Sequence, residues 1–154
     1  MEYVDTETPK QISMELISSY WQAVGIDVRL RLIDRGLQLA RAMSNEFVMT
    51  LWHADRTTDI LFPGNPDFWV PRKITASLAM WSEWSRWYLT GGKQGDRPPA
   101  EIIRLQNLAD ELTTTLDPQR RVQLGKQILA ANAENLWTIG TVGLAPQPLS
   151  LIHI

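Results

Sequence analysis

The chain has 154 residues, with 15 Lys and Arg against 17 Asp and Glu, no cysteine, 44% hydrophobic and 21% charged residues. That composition excludes wholesale disorder, and the near-neutral charge gives no reason to expect nucleic acid or an anionic membrane as partner. Without cysteine there is no disulfide framework, thiolate nucleophile or Cys-ligated metal, and the sequence has neither a membrane-length apolar run nor a basic-then-apolar leader.

Glu2, Tyr3 and Val4 read as the end of a strand. Thr8, Pro9 and Gln11 then announce a helix: a capping hydroxyl, proline at the first helical position, and a glutamine that completes a capping box. Ile12, Leu16, Ile17, Tyr20 and Val24 follow at helical spacing as its apolar stripe, and Gly25 is the expected left-handed stop. Residues 26–32 alternate apolar and polar without a fault, the signature of a strand with one buried face. A second helix is predicted over residues 35–44 with Leu37, Ala40 and Met43 inward. Residues 46–52 are mostly apolar and fit a central strand covered on both faces.

Residues 53–73 carry Pro63, Gly64, Pro66 and Pro71 and are predicted to form a long loop leaving the end of that strand, where open α/β sheets collect ligands. Helix is expected again over residues 75–89, bearing Trp81, Trp84, Trp87 and Tyr88. Gly91, Gly92 and Gly95 make a break, after which Pro98 and Pro99 open a helix with Ile102, Leu105, Leu108 and Leu112 on its buried face. Asp117 and Pro118 cap and start another, through Val122, Leu124, Ile128 and Leu129. Residues 136–142 are a last strand candidate. The expected class is α/β, a mixed sheet flanked by helices.

The usual catalytic signatures are absent. There is no Gly-x-Ser-x-Gly elbow, no His-Glu-x-x-His and no phosphate loop, and with only two histidines a His-based metal site would have to lean on carboxylates. The chain reads as a binder rather than an enzyme, with no metal or cofactor expected. His53, Asp55, Arg56 and Asp59 cluster just after the central strand candidate. They can form a polar cleft wall, with Asp55 accepting from a ligand ammonium or hydroxyl and Arg56 offering its planar fork to a carboxylate, or they can cap the loop and pair with one another. The seven tryptophans are an unusual excess. Trp81, Trp84 and Trp87, three apart, would spread over one helix face as core or as a platform for a sugar ring or apolar side chain. Trp21 and Trp137 read as core, and Arg29 and Arg31 as a solvated strand face.

Taken together, the first helix, Gly25-Ile26-Asp27-Val28, the second helix, and Phe47-Val48-Met49 leading into Trp52-His53-Ala54-Asp55 resemble the second lobe of family 5 extracellular solute-binding proteins. The likeness extends through Trp87-Tyr88-Leu89-Thr90-Gly91-Gly92, similar to an insertion of the larger members, Asp117-Pro118-Gln119-Arg120-Arg121 and the segment from Trp137 to Val142. The resemblance implies the C-terminal lobe, residues 1–148, of a periplasmic-binding-protein type II-like receptor that captures peptides or oligosaccharides between two lobes and delivers them to ABC permease subunits. It implies a periplasmic or cell-surface location and a missing N-terminal lobe. Asp55, three residues after Trp52, matches the family's partner for a peptide α-ammonium, but Arg56-Thr57-Thr58-Asp59 departs from the acidic-residue-proline pair common in peptide binders. The implied ligand-binding set is Trp52, His53, Asp55, Arg56, Asp59, Trp81 and Trp84. Residues 149–154 read as a non-native tail, resembling translated sequencing-library adapter. The alternative reading is the ligand-sensing domain of a transcription regulator. One lobe holds half a site, and since micromolar binding needs about 8 kcal/mol, its affinity alone is expected to be weak or undetectable.

Overall fold

The structure, a computed structural model, describes residues 1–6, 10–52, 58, 61–74 and 81–140. Near the N-terminus, β1 (Glu2–Tyr3) pairs in parallel with β2 (Arg31–Leu32), with Glu2 opposite Arg31 and Tyr3 opposite Leu32. On its other side Glu2 bridges Thr50, also in parallel: its N–H donates to the Met49 carbonyl at 3.2 Å, and the Thr50 hydroxyl donates to its carbonyl at 2.9 Å. Between these three parallel segments run α1 (Lys10–Ala23) and α2 (Arg35–Met43).

The expected α/β lobe with a mixed sheet is thereby corrected. Among the described residues the chain is mostly helical, at 56% helix, and the sheet is two strands of two residues each. Of the predicted strand at residues 26–32 only Arg31 and Leu32 are strand, of 46–52 only the bridge at Thr50 remains, and residues 136–140 contain none. A strand persists only where a neighbour takes up its N–H and C=O groups and a second layer covers its apolar face. The alternation marks which face would be buried and supplies neither. Val48, expected in a central strand, is fully exposed, and Ile26 and Leu32 are at least half exposed.

The helix limits follow from local chemistry. The first-turn donors of α1 are taken by Asp5, whose Oδ1 accepts from the backbone N–H groups of Lys10 at 2.9 Å and Gln11 at 3.2 Å. Thr8, the expected cap, lies outside the described residues, while Gln11 donates its side-chain amide forward to Glu15. Gly25 stops α1 at φ 87, and the Ile26 N–H returns to the Trp21 carbonyl at 2.9 Å. Asp34 caps α2, accepting from Gly36 N at 2.7 Å.

Both helices turn unexpected faces inward. α1 buries Lys10 and Met14, whereas Ile12, Leu16, Tyr20 and Val24 of the predicted stripe are exposed, Val24 at 73%. α2 buries Gln38 and Ala42 rather than Leu37, Ala40 and Met43. The reason lies in what α2 meets. Its C-terminal backbone is approached by α3 (Ser82–Leu89), the Ser82 hydroxyl donating to the Ala42 carbonyl and Arg86 Nη2 to the Met43 carbonyl at 3.0 Å. Gln38 donates to the Thr50 hydroxyl at 3.3 Å. So close an approach needs small and hydrogen-bonding residues, and Ala42, Ser82 and Ser85 are all fully buried.

The main core lies elsewhere. α4 (Ala100–Thr114) and α5 (Pro118–Asn135) are joined by three residues, the short link of a helical hairpin. Ile102, Leu105, Ala109 and Leu112 of α4 meet Leu124, Ile128 and Ala131 of α5. The proline-rich loop contributes too: its described part forms two 3-10 turns, Phe62–Gly64 and Pro66–Phe68, and sends Phe62 and Val70 into the core. Val122 and Leu129 of the predicted α5 stripe are exposed, because the hairpin contact is centred on Leu124 and Ile128. Asp117 caps α5 through Gln119 N at 3.0 Å. Asp117→Ala is expected to lower unfolding free energy by about 1 kcal/mol in urea denaturation; no change would mean the cap bond is not formed in solution.

Candidate functional site

Of the sequence-derived site residues, His53, Asp55, Arg56 and Asp59 lie outside the described residues. Trp52 is half-buried just past the Thr50 bridge. Lys10 Nζ lies over its ring 5.1 Å from the centre and Arg35 Cζ 5.3 Å, so the indole interacts with two cations from the starts of α1 and α2.

Trp81 and Trp84 are brought together, though not as residues of one helix. The expected helix over 75–89 begins at Ser82 in the described residues, and Trp81 precedes it as a cap with φ 65 and ψ 32. A bulky side chain in the left-handed region is an outlier that its surroundings must hold. Those surroundings are aromatic: Trp81 stacks on Trp84 at 6.3 Å and 21° between planes, and Trp137 meets Trp81 edge-on at 5.6 Å. Trp84 and Trp137 also pack on the α4–α5 core. The cluster is therefore layered, with Trp84 and Trp137 seated on the core and half-buried Trp81 resting on them. Trp87 goes elsewhere: the turn after α3 folds back on it, so that a Cβ at Gly92 would lie 3.3 Å from its indole nitrogen. Trp21 is half-buried rather than core.

A third place was not singled out from the sequence. Gly64, Asp67, Arg72, Lys73, Tyr88, Leu89 and Thr113 line a pocket of about 240 Å³ between the proline-rich loop, α3 and the end of α4. The Asp67 side chain is almost fully buried, with Lys73 Nζ 2.7 Å from its Oδ2 and Arg72 Nη1 3.7 Å from its Oδ1. Arg72 also reaches Asp110 of α4 through Nη2 at 2.9 Å, donates from Nε to the Tyr88 hydroxyl at 3.3 Å, and lies over the Tyr88 ring. The Tyr88 hydroxyl in turn donates to Asp110. The adjacent Arg72 and Lys73 in a proline-rich loop were the available sequence signal. Their partners on α3 and α4 carry no local mark.

Burial is the main influence that raises the Tyr88 pKa above the ordinary tyrosine value, and the hydrogen bond to the Asp110 carboxylate acts in the same direction, since the phenolate could not donate it. Arg72 opposes both. The folded state thus holds the phenolic proton more tightly than the unfolded chain. The associated stability is intact below about pH 10 and is lost as pH rises through the higher folded value. Tyr88→Phe should cost about 1 kcal/mol at neutral pH and flatten this alkaline decline. An unchanged pH profile in the variant would show that Tyr88 does not produce the decline.

Among the described residues no group of three His, Cys, Asp or Glu is placed to hold a metal ion, and no helix is long and apolar enough to cross a membrane. No protein-family model and no curated protein matches the sequence.

Proposed function

We propose that the chain binds a small organic solute as one lobe of the substrate-binding component of an ABC importer, taking peptides or oligosaccharides for delivery to permease subunits. The observation that carries the reading is the layered tryptophan cluster. Trp81 is held on Trp84 and Trp137, so a rigid aromatic side chain is offered to a sugar ring or an apolar side chain at little entropic cost. The sequence resemblance supplies the importer context. The helical fold is not the lobe architecture that the resemblance implies, so the reading rests on the aromatic cluster and the motif order alone.

The test is NMR of the indole N–H signals during titration with maltotriose and, separately, trialanine. With half the contacts of a closed site, binding is expected in the millimolar range, some 4 kcal/mol. The Trp81 and Trp84 signals should move saturably with one of the two ligands, and Trp81→Ala should abolish the response at Trp84. If neither ligand shifts these signals at millimolar concentration, the proposal fails.

A further inference from the structure

We propose that the exposed face of α1 is the contact surface of a symmetric dimer, in which the α1 helices of two copies of this chain cross antiparallel. The inference does not depend on the importer reading and uses none of the residues of the tryptophan cluster.

Of its 14 residues α1 buries only Lys10 and Met14. A helix of this length is marginal in water unless an apolar face is packed. On the side opposite Met14, Ile12, Leu16 and Tyr20 recur every four residues, and Val24 continues them in the closing turn; they are 68%, 52%, 63% and 73% exposed. Steps of four residues drift by only about 40° around a helix, so the four form one ridge. Ser13, Ser19 and Ala23 flank it, all exposed and small enough to let a second helix come close. A contiguous apolar surface of this kind on a globular chain marks an interface.

The chemistry of this face selects a second copy of the same chain. α1 has two charged residues: Lys10 is buried on the far side, and Glu15 lies beside the ridge, accepting from the Gln11 amide at 2.8 Å. The ridge thus offers nothing to a charged partner and no cation to hold it on an anionic membrane. Two such ridges, by contrast, complement each other. About a two-fold axis level with residue 18, Ile12 faces the partner's Val24 and Leu16 faces the partner's Tyr20, so every apolar side chain of the ridge meets another. The two Glu15 side chains then stand about 9 Å apart along the helix axis, and no like charges are brought together. Ridges built on steps of four residues interlock at about −50°. At roughly 100–150 Å² for each exposed side chain, the pair buries about 1,000 Å² in total, the lower bound for a specific interface. The dimer is accordingly weak, with a dissociation constant on the order of 10–100 µM.

The test is sedimentation velocity of the full chain from about 5 to 500 µM, a range that brackets the expected dissociation constant. One variant carries Leu16→Lys with Tyr20→Lys and a second Leu16→Glu with Tyr20→Glu, both at exposed positions where the fold tolerates a charge. The unaltered chain should pass from a 17.6 kDa monomer to a dimer as concentration rises. Each variant alone should stay monomeric, because like charges then face each other across the axis. An equimolar mixture of the two should dimerise again, since position 16 of one copy meets position 20 of the other with opposite charge, a recovery that misfolded variants could not show. An unaltered chain that stays monomeric, because its own residues or a different protein cover the face, would overturn the proposal. So would association that survives in the separate variants, growth beyond the dimer, or a mixture that remains monomeric.

Discussion

Leu105→Ala is expected to lower the unfolding free energy by about 3 kcal/mol, a large part of what a domain of this size has in total. Leu105 is fully buried at the centre of the α4–α5 hairpin, in one cluster with Leu112, Leu124, Ile128 and the loop residues Phe62 and Val70. Truncation removes its transfer free energy and leaves a void that two helices and a proline-restricted loop cannot easily fill. Urea denaturation gives the number directly, and an unchanged slope would show that the variant lost stability rather than changed the compactness of either state. A loss below about 1 kcal/mol would mean that the hairpin core is not packed as described. Because Trp84 and Trp137 rest on this same cluster, the aromatic surface should loosen with it.

Gly95→Ala should cost about as much, around 3 kcal/mol, for a different reason. Gly95 has φ 80, where a side chain is strained by about 1 kcal/mol, and the turn presses it against α3. A Cβ there would lie 2.7 Å from the Trp87 backbone nitrogen and closer still to the Glu83 carbonyl oxygen, both backbone atoms that cannot swing aside. Overpacking of this kind accounts for the remaining ~2 kcal/mol. Gly91 is the internal control: its φ is 60, but a Cβ would meet open space. Gly91→Ala should therefore show only the backbone strain. Thermal or urea unfolding of both variants separates the two contributions, and equal losses would mean that the turn does not approach α3 so closely.

These two sites show how unevenly the structure could be read in advance. α4 and α5 were legible as helices, because proline and aspartate mark their starts and Ile102, Leu105, Leu112, Leu124 and Ile128 recur on faces that do meet, but Val122 and Leu129 of the expected α5 stripe are exposed. The glycine break after α3 was legible as a break, but not as a turn pressed onto the helix before it. The stripes on α1 and α2 were misleading. Leu16 and Tyr20 have the right spacing, yet nothing among the described residues covers them, and α2 faces its neighbours with Gln38 and Ala42. For the candidate sites, Trp81 and Trp84 were found from their excess and spacing. Their stacking with Trp137 and the left-handed backbone at Trp81 were not foreseeable. The ion-pair network beside the proline-rich loop was signalled only by the adjacent Arg72 and Lys73, since no rule of spacing joins Asp67 and Arg72 to Tyr88 and Asp110.

By itself the sequence determined where α2 and α5 start and where α1 stops. Asp34 and Asp117 cap through side-chain bonds to backbone two or three residues on, and Gly25 ends α1 through its own φ, interactions that close within one turn of chain. Only the tertiary structure decided which faces are buried, how little of the apparent strands pairs, and which charges share a pocket. Those outcomes depend on residues distant in sequence, such as Tyr88 with Asp110 or Asn132 with the Trp69 carbonyl, and burial needs an opposing surface that periodicity alone cannot provide.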